Sequence, residues 1–443
     1  MVPIDYQKLG NGRFVLKVLR FNARNQKKKL GSLVINPGGP GASGVNYAFN
    51  SQYIFSPEIL NEYDIVGFDP RGVGLSEPIH CLTDKETDAS YSANSKPKSK
   101  KQLETLLREA RTYVSKCETR TDNLLNYSTA DSARDMDLLR LALDEKQLNY
   151  LGVSYGTYLG TLYAKYFPKN VGRMVLDGAI DPNSTSTEQN LTQAIGFDTA
   201  LNAFIDDCFA KSDCPVGAPR SKAIAQIISI FDNAAKSPLT GNPDRPVTES
   251  LVVLGTASAL YDSTTGWPQL RDAIREARSG AGTKFLALAD AYTQRATDGT
   301  YGNNETDASF VIDCLDWRNA QSTAQMKSDA KTFATQAPVF GPYLAYAGLS
   351  CQFFPVISEK RNPITAIDTT PIVIIGTTRD PATPYIWAED LHKVIHNSRL
   401  ISLDGDGHTG YGHGSNCVDS AVDAYLLSGK LPKKDLFCTS AFS

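Results

Sequence analysis

At 443 residues the chain is longer than one hydrophobic core ordinarily supports, so a core with a large insertion, or two domains, is expected. A formal charge of −3, from 45 basic and 48 acidic residues interspersed along the chain, leaves no footprint for nucleic acid, and no apolar run is long enough to span a bilayer. Eight cysteines, without a C-x-x-C pair or zinc-like spacing, fit four disulfides in an exported protein better than free thiols in the cytosol.

In chain order, residues 14–22, 31–35 and 63–68 read as strands, with Lys27, Lys28 and Lys29 as a solvated hairpin tip between the first two. Residues 82–127, rich in Lys and Ser around 94–101, read as a surface excursion. Residues 128–143 carry the pattern of an amphipathic helix: a capping Ser or Thr at the start, then apolar Met136, Leu139 and Leu143. Strands over 148–153 and 173–176 follow, the second ending at Asp177-Gly178. From about 182 to 366 the texture changes to helical periodicity around 193–208, 223–235, 267–278, 284–295 and 324–334. Alternation resumes with a strand at 370–376, a helix at 385–395, a strand at 400–403 and a closing helix at 417–427. Strands alternating with helices call for a mostly parallel sheet flanked by helices. The expected organisation is an α/β core over 1–182, a large helical cap over 183–365, and the rest of the core over 366–443.

The stretch 148–160, LNYLGVSYGTYLG, has the form of a nucleophile delivered on a strand-to-helix turn. Gly152-Val153-Ser154-Tyr155-Gly156 matches the G-x-S-x-G elbow of the α/β-hydrolase fold, in which small neighbours keep strand and helix from colliding. Gly156 and Gly160, four apart, let the helix lie close to the sheet.

A serine nucleophile needs a base, and the base an orienting carboxylate. In this fold they follow the serine in the order acid, then histidine. Asp380, after the strand at 370–376, and His408, just after the strand at 400–403, stand at those positions. His80 precedes the serine, and His392 and His396 lie on a helix; His413, on the same glycine-rich loop, is the rival base. Asp404 and Asp406 are too near His408 to reach its far nitrogen, which leaves Asp177 as the rival acid. The run Asn36-Pro37-Gly38-Gly39-Pro40-Gly41 lets backbone N–H groups approach a developing oxyanion, so Gly39 pairs with the N–H of Tyr155 as the expected hole.

These residues also carry a family resemblance. NPGGPGASG, GFDPRGVGLSEP (67–78), GVSYGTYLG, DPATP around Asp380 and GDGH at His408 together resemble the actinobacterial tripeptidyl aminopeptidases, secreted serine exopeptidases related to prolyl aminopeptidases. One departure is Asn36, where the prolyl enzymes carry His; it leaves proline specificity open. The resemblance implies Ser154 as nucleophile, Asp380 as acid, His408 as base, Gly39 and Tyr155 as oxyanion donors, and no metal or cofactor. It implies a peptide substrate with a free N-terminus, from which short peptides are released. An exopeptidase of this kind needs a carboxylate for the substrate ammonium, and residues 312–317 of the cap offer Asp313 and Asp316, the latter favoured because the resemblance is closest there.

Chain order suggests the disulfides Cys81–Cys117, Cys208–Cys214, Cys314–Cys351 and Cys417–Cys438, though the sequence leaves other pairings open. No secretion signal opens the chain, and the cysteines point to a mature exported protein. A monomer is expected. A carboxylesterase or lactonase using the same three residues is the alternative reading, because fold and triad do not set the acyl substrate.

Overall fold

Eight short runs of aliphatic and aromatic residues assemble into one sheet in the computed structural model, which describes residues 1–242, 244–317, 321–355 and 363–440. The strands are β1 (Val18–Phe21), β2 (Gly31–Asn36), β3 (Tyr63–Phe68), β4 (Leu148–Val153), β5 (Val171–Asp177), β6 (Ile372–Arg379), β7 (Ser398–Asp406) and β8 (Leu436–Thr439). Their order across the sheet is β8-β7-β6-β5-β4-β2-β3-β1, all parallel except β1, which runs antiparallel to β3. Leu33 and Ile35 pack on one face with Val175, Val373 and Ile401, while Val34 packs on the other with Met174, Ile372 and Leu400. Because both faces are covered, these strands read as unbroken apolar runs. From β2 the chain turns first to β3 on one side and later to β4 on the other. The C-terminal ends of β2 and β4 therefore lie side by side where the strand order reverses, the position at which open α/β sheets bind ligands. This is the α/β-hydrolase arrangement.

Between β5 and β6 the chain forms a helical layer with its own apolar centre, built on Phe204, Phe231, Leu251, Trp267 and Phe285. All five expected helical stretches are present, as Ser186–Phe209, Arg220–Lys236, Gly266–Ala277, Thr283–Thr293 and Thr323–Gln336. Further helices, Glu249–Ala259, Glu305–Asp316 and the short Gly341–Leu344, and a small hairpin of Leu239–Asn242 with Arg245–Val247 are additions to that expectation. The Glu305–Asp316 helix does not share the cap's centre: its Ala308, Val311, Ile312 and Leu315 join the apolar cluster of the sheet with Met136 and Tyr158.

Residues 82–127 depart from the expected surface excursion. They hold the helices Asp84–Ser92 and Lys100–Arg120, and the longer one carries an apolar stripe in which Ala110, Val114 and Cys117 are buried and Leu106, Leu107 and Tyr113 pack beside them at helical spacing. The excursion is tied to the cap by Arg295–Asp88 and Lys96–Glu249 ion pairs and a hydrogen bond from Ser250 Oγ to the Ala93 carbonyl. The eight cysteines pair as Cys81–Cys117, Cys208–Cys214, Cys314–Cys351 and Cys417–Cys438. Among the described residues no helix is long and apolar enough to cross a membrane.

Candidate active site

Strand β4 ends at Val153, the helix Tyr155–Tyr166 begins at once, and Ser154 between them takes φ 55° and ψ −125°. A non-glycine residue there carries roughly 1–3 kcal/mol of backbone strain, which persists only where the surroundings enforce it. They do: the Ser154 N–H donates to the Asp177 carbonyl at 2.8 Å, and its own carbonyl accepts from the Thr157 hydroxyl at 2.6 Å. A Cβ on Gly152 would lie 2.3 Å from the Gly156 carbonyl oxygen, so the turn closes only with glycine at this place.

The loop after β2 lies over this turn. A Cβ on Gly38 would stand 2.6 Å from the Val153 carbonyl oxygen and 3.1 Å from the Tyr155 nitrogen. Gly38, at φ 101°, donates its N–H to Asn36 Oδ1 at 3.0 Å. Gly39, Ser154 and Tyr155 all line one cavity of about 700 Å³ beneath the cap.

Asp380 follows β6 and is fully enclosed. One of its oxygens accepts the N–H groups of Ala382 and Thr383, each at 2.9 Å; the other accepts the Thr383 hydroxyl at 2.9 Å and the Thr409 N–H at 3.0 Å. His408 Nδ1 lies 2.9 Å from both oxygens. Burial works against the charged ring, but the Asp380 carboxylate outweighs it and holds the His408 pKa above its ordinary value. Strand β5 joins this pair to the serine. The Asp177 carbonyl holds Ser154, and a Cβ on the next residue, Gly178, would lie 3.4 Å from His408 Cε1. Among the described residues no hydrogen bond links Ser154 Oγ to His408, a contact that commonly tightens only with substrate.

The rivals occupy other roles. Asp177 accepts the backbone N–H groups of Gly410 and Tyr411, fastening the histidine loop to β5, and burial pushes its carboxyl up to about 7. His413 is bonded to the Thr409 hydroxyl, and Asp404 and Asp406 are both paired with Arg379. Thr383 was not singled out from the sequence, although it lies within DPATP. Its hydroxyl, bonded to Asp380, stands 3.3 Å from His408 Nδ1.

The two acids expected to meet an ammonium part company. Asp316 accepts the Thr129 N–H at 2.9 Å and also the Thr129 hydroxyl, so it caps the helix Thr129–Ala142. Asp313 lines the cavity, in a row with Thr306, Ser309, Phe310 and Trp317 at helical spacing. Burial, with Asp316 nearby, pushes its carboxyl up to about 8; Ser309 bonds to it, and no cation pairs with it among the described residues. The Cys314–Cys351 bond fixes the neighbouring backbone, and Cys351 also lines the cavity.

Residues 337–438 match the family model described as TAP-like protein. Over the whole length the chain is similar to serine protease Hip1 of Mycobacterium tuberculosis (strain ATCC 25618 / H37Rv), with 35% identity covering 99% of this chain and 86% of that one. It is also similar to carboxylesterase B of the same organism, with 36% identity over 99% and 85% of the two chains. Tripeptidyl aminopeptidase of Streptomyces lividans is 32% identical over 99% of this chain and 82% of its own.

Proposed function

Because the chain belongs to the actinobacterial tripeptidyl aminopeptidase family of serine hydrolases, we propose that it is an exported serine aminopeptidase releasing tripeptides from a free N-terminus. Ser154 Oγ attacks the scissile carbonyl while His408 Nε2 takes its proton. Asp380, bonded at Nδ1, orients the ring and stabilises the imidazolium. The N–H groups of Gly39 and Tyr155 receive the oxyanion, and His408 returns the proton to the leaving amine. Water then repeats the cycle on the acyl-enzyme, releasing the peptide. The four disulfides support an extracellular setting.

The observation that carries the peptidase reading is the Asp313 carboxyl, half-buried in the wall of the Ser154 cavity without a cation of its own among the described residues. A substrate ammonium would supply the missing charge. Spacing supports the length of the released piece. The Glu305–Asp316 helix meets the oxyanion loop at its first residue, where Glu305 Oε1 would lie 3.3 Å from a Cβ on Gly39. Asp313 follows eight residues later, about 12 Å along the helix axis at 1.5 Å per residue. Three extended residues span about 10 Å.

The test compares a tripeptide amide bearing a free amine with its N-acetyl form. Acetylation should lower kcat/KM at least ~30-fold, as expected for a lost charge-assisted contact of about 2 kcal/mol. Equal cleavage of the two forms would favour the second reading, an esterase on the same triad, to which the carboxylesterase relative lends support.

A further inference from the structure

The histidine loop is held from two sides, and only one of them belongs to the sheet. From the cap side, the Tyr261 carbonyl accepts the His408 N–H at 2.9 Å. The approach is close enough that a Cβ on Gly407 would lie 2.8 Å from that carbonyl oxygen. The Tyr261 ring stands against the imidazole at 5.2 Å between centroids and 79° between planes, an edge-to-face contact. Tyr261 is one residue beyond Leu260, which ends the cap helix Glu249–Ala259. Its ring packs on Phe197 and Tyr292, and all three line the cavity that holds Ser154.

We propose that Tyr261 is a positioning residue for His408: the cap supplies one wall of the base's socket, so the base is aligned only while the cap is seated on the core. This rests on the reading of Ser154, Asp380 and His408 as the catalytic residues. Two consequences follow from the geometry. The cap cannot swing away as a free lid without releasing the His408 N–H. An acyl chain packed against Phe197, Tyr261 and Tyr292 also presses on the group that orients the imidazole, so filling the cavity steadies the base. The ring excludes water from one flank of His408, whose other charged neighbours are Asp380 and Asp177, with His413 further along the same loop.

A substrate too small to reach the cap separates positioning from simple wall-building. With 4-nitrophenyl acetate, Tyr261→Ala should lower kcat at least about tenfold, because a misaligned base slows every acyl transfer. The acid limb of its pH profile should also move to higher pH, because water admitted to the imidazole relieves the burial that opposes its charge. Tyr261→Phe should stay within about twofold of the parent, since the contact uses the ring and not the hydroxyl. Tyr261→Leu keeps an apolar side chain without the aromatic edge and should lose at least about threefold, which preserves the test if the alanine variant fails to fold. Acetate turnover and an acid limb unchanged in both the alanine and leucine variants, with only peptide KM raised, would overturn the proposal. Failure of the triad reading would look different: Ser154→Ala would keep its acetate turnover whatever the Tyr261 variants do.

Discussion

The strand ends and the cavity wall treat their acids in opposite ways. At the end of β6 the carboxylate is saturated, since Asp380 takes four hydrogen bonds besides His408, while Asp177 at the end of β5 takes the N–H groups of Gly410 and Tyr411. Along the Glu305–Asp316 helix, Asp313 has the Ser309 hydroxyl, and burial alone pushes Glu305 up to about 7. A saturated carboxylate has one geometry and serves chemistry that must not shift. A buried acid with a vacancy is raised in energy until a ligand brings the opposite charge. On the proposed reading, catalysis would belong to the sheet and recognition to the wall, and each side can be broken separately.

The largest effect belongs to the sheet. Ser154→Ala should lower kcat by at least about 10⁴-fold on esters and peptides alike while the thermal midpoint stays near that of the parent. A serine-directed phosphonate should label the parent at Ser154 and fail to label the variant. Asp380→Asn should approach the same loss, because an amide that donates toward Nδ1 favours the wrong imidazole tautomer. A loss of only a few-fold on either substitution would remove the residue from the mechanism.

This division also explains what the sequence made legible. Ser154, Asp380 and His408 sit on short loops directly after strands, and such loops are set by local turn chemistry and chain order, both readable along the chain. Asp313 and Asp316 lie three apart on one helix, and no motif says which of them faces the cavity; the apolar stripe at 308, 311, 312 and 315 is legible, but what it packs against is not. That is decided by Ala308, Val311, Ile312 and Leu315 seeking the core of the sheet, a contact between segments more than about a hundred residues apart. Tyr261 was hidden for the same reason, since its ring and carbonyl meet His408, far along the chain on another loop. The helix Lys100–Arg120 has its apolar stripe at helical spacing, from Leu103, Leu106 and Leu107 to Val114 and Cys117, but the Lys- and Ser-rich run just before it points to an exposed loop. β8 was missed because an edge strand of four residues has too short an alternation to register.

Exchanging the two acids sharpens the comparison at intermediate magnitude. Asp313→Asn should lower kcat/KM for a free-amine tripeptide at least ~30-fold and leave the acetylated peptide and 4-nitrophenyl acetate nearly unchanged. Asp316→Asn should do the reverse in kind, removing about 1 kcal/mol of stability through the weakened cap at Thr129, with little effect on selectivity. Selectivity lost in the Asp316 variant and kept in the Asp313 variant would return the ammonium site to Asp316.

The smallest effect is a stability difference that changes with pH, and its sign is set by the raised Asp313 carboxyl. Below the unfolded carboxyl value of about 4 the group is protonated in both states and contributes nothing to the slope. As pH rises from there, the unfolded chain releases the proton while the folded protein, with Asp313 pushed up to about 8, retains it. Stability is therefore lost across that window, and the loss is complete once pH has passed the folded value. An amide in its place cannot titrate, so the thermal midpoint of Asp313→Asn should gain on the parent steadily between about pH 5 and pH 8 and run parallel to it above. Asp177 and Asp198, raised by burial to about 7 and about 6, slope in the same direction but are common to both proteins and cancel in the difference. A free-amine tripeptide should close part of the gap by raising the parent's midpoint more than the variant's, since only the parent offers the ammonium a carboxylate. A difference that is flat with pH and indifferent to the peptide would mean that Asp313 is already satisfied in the wall and awaits no substrate.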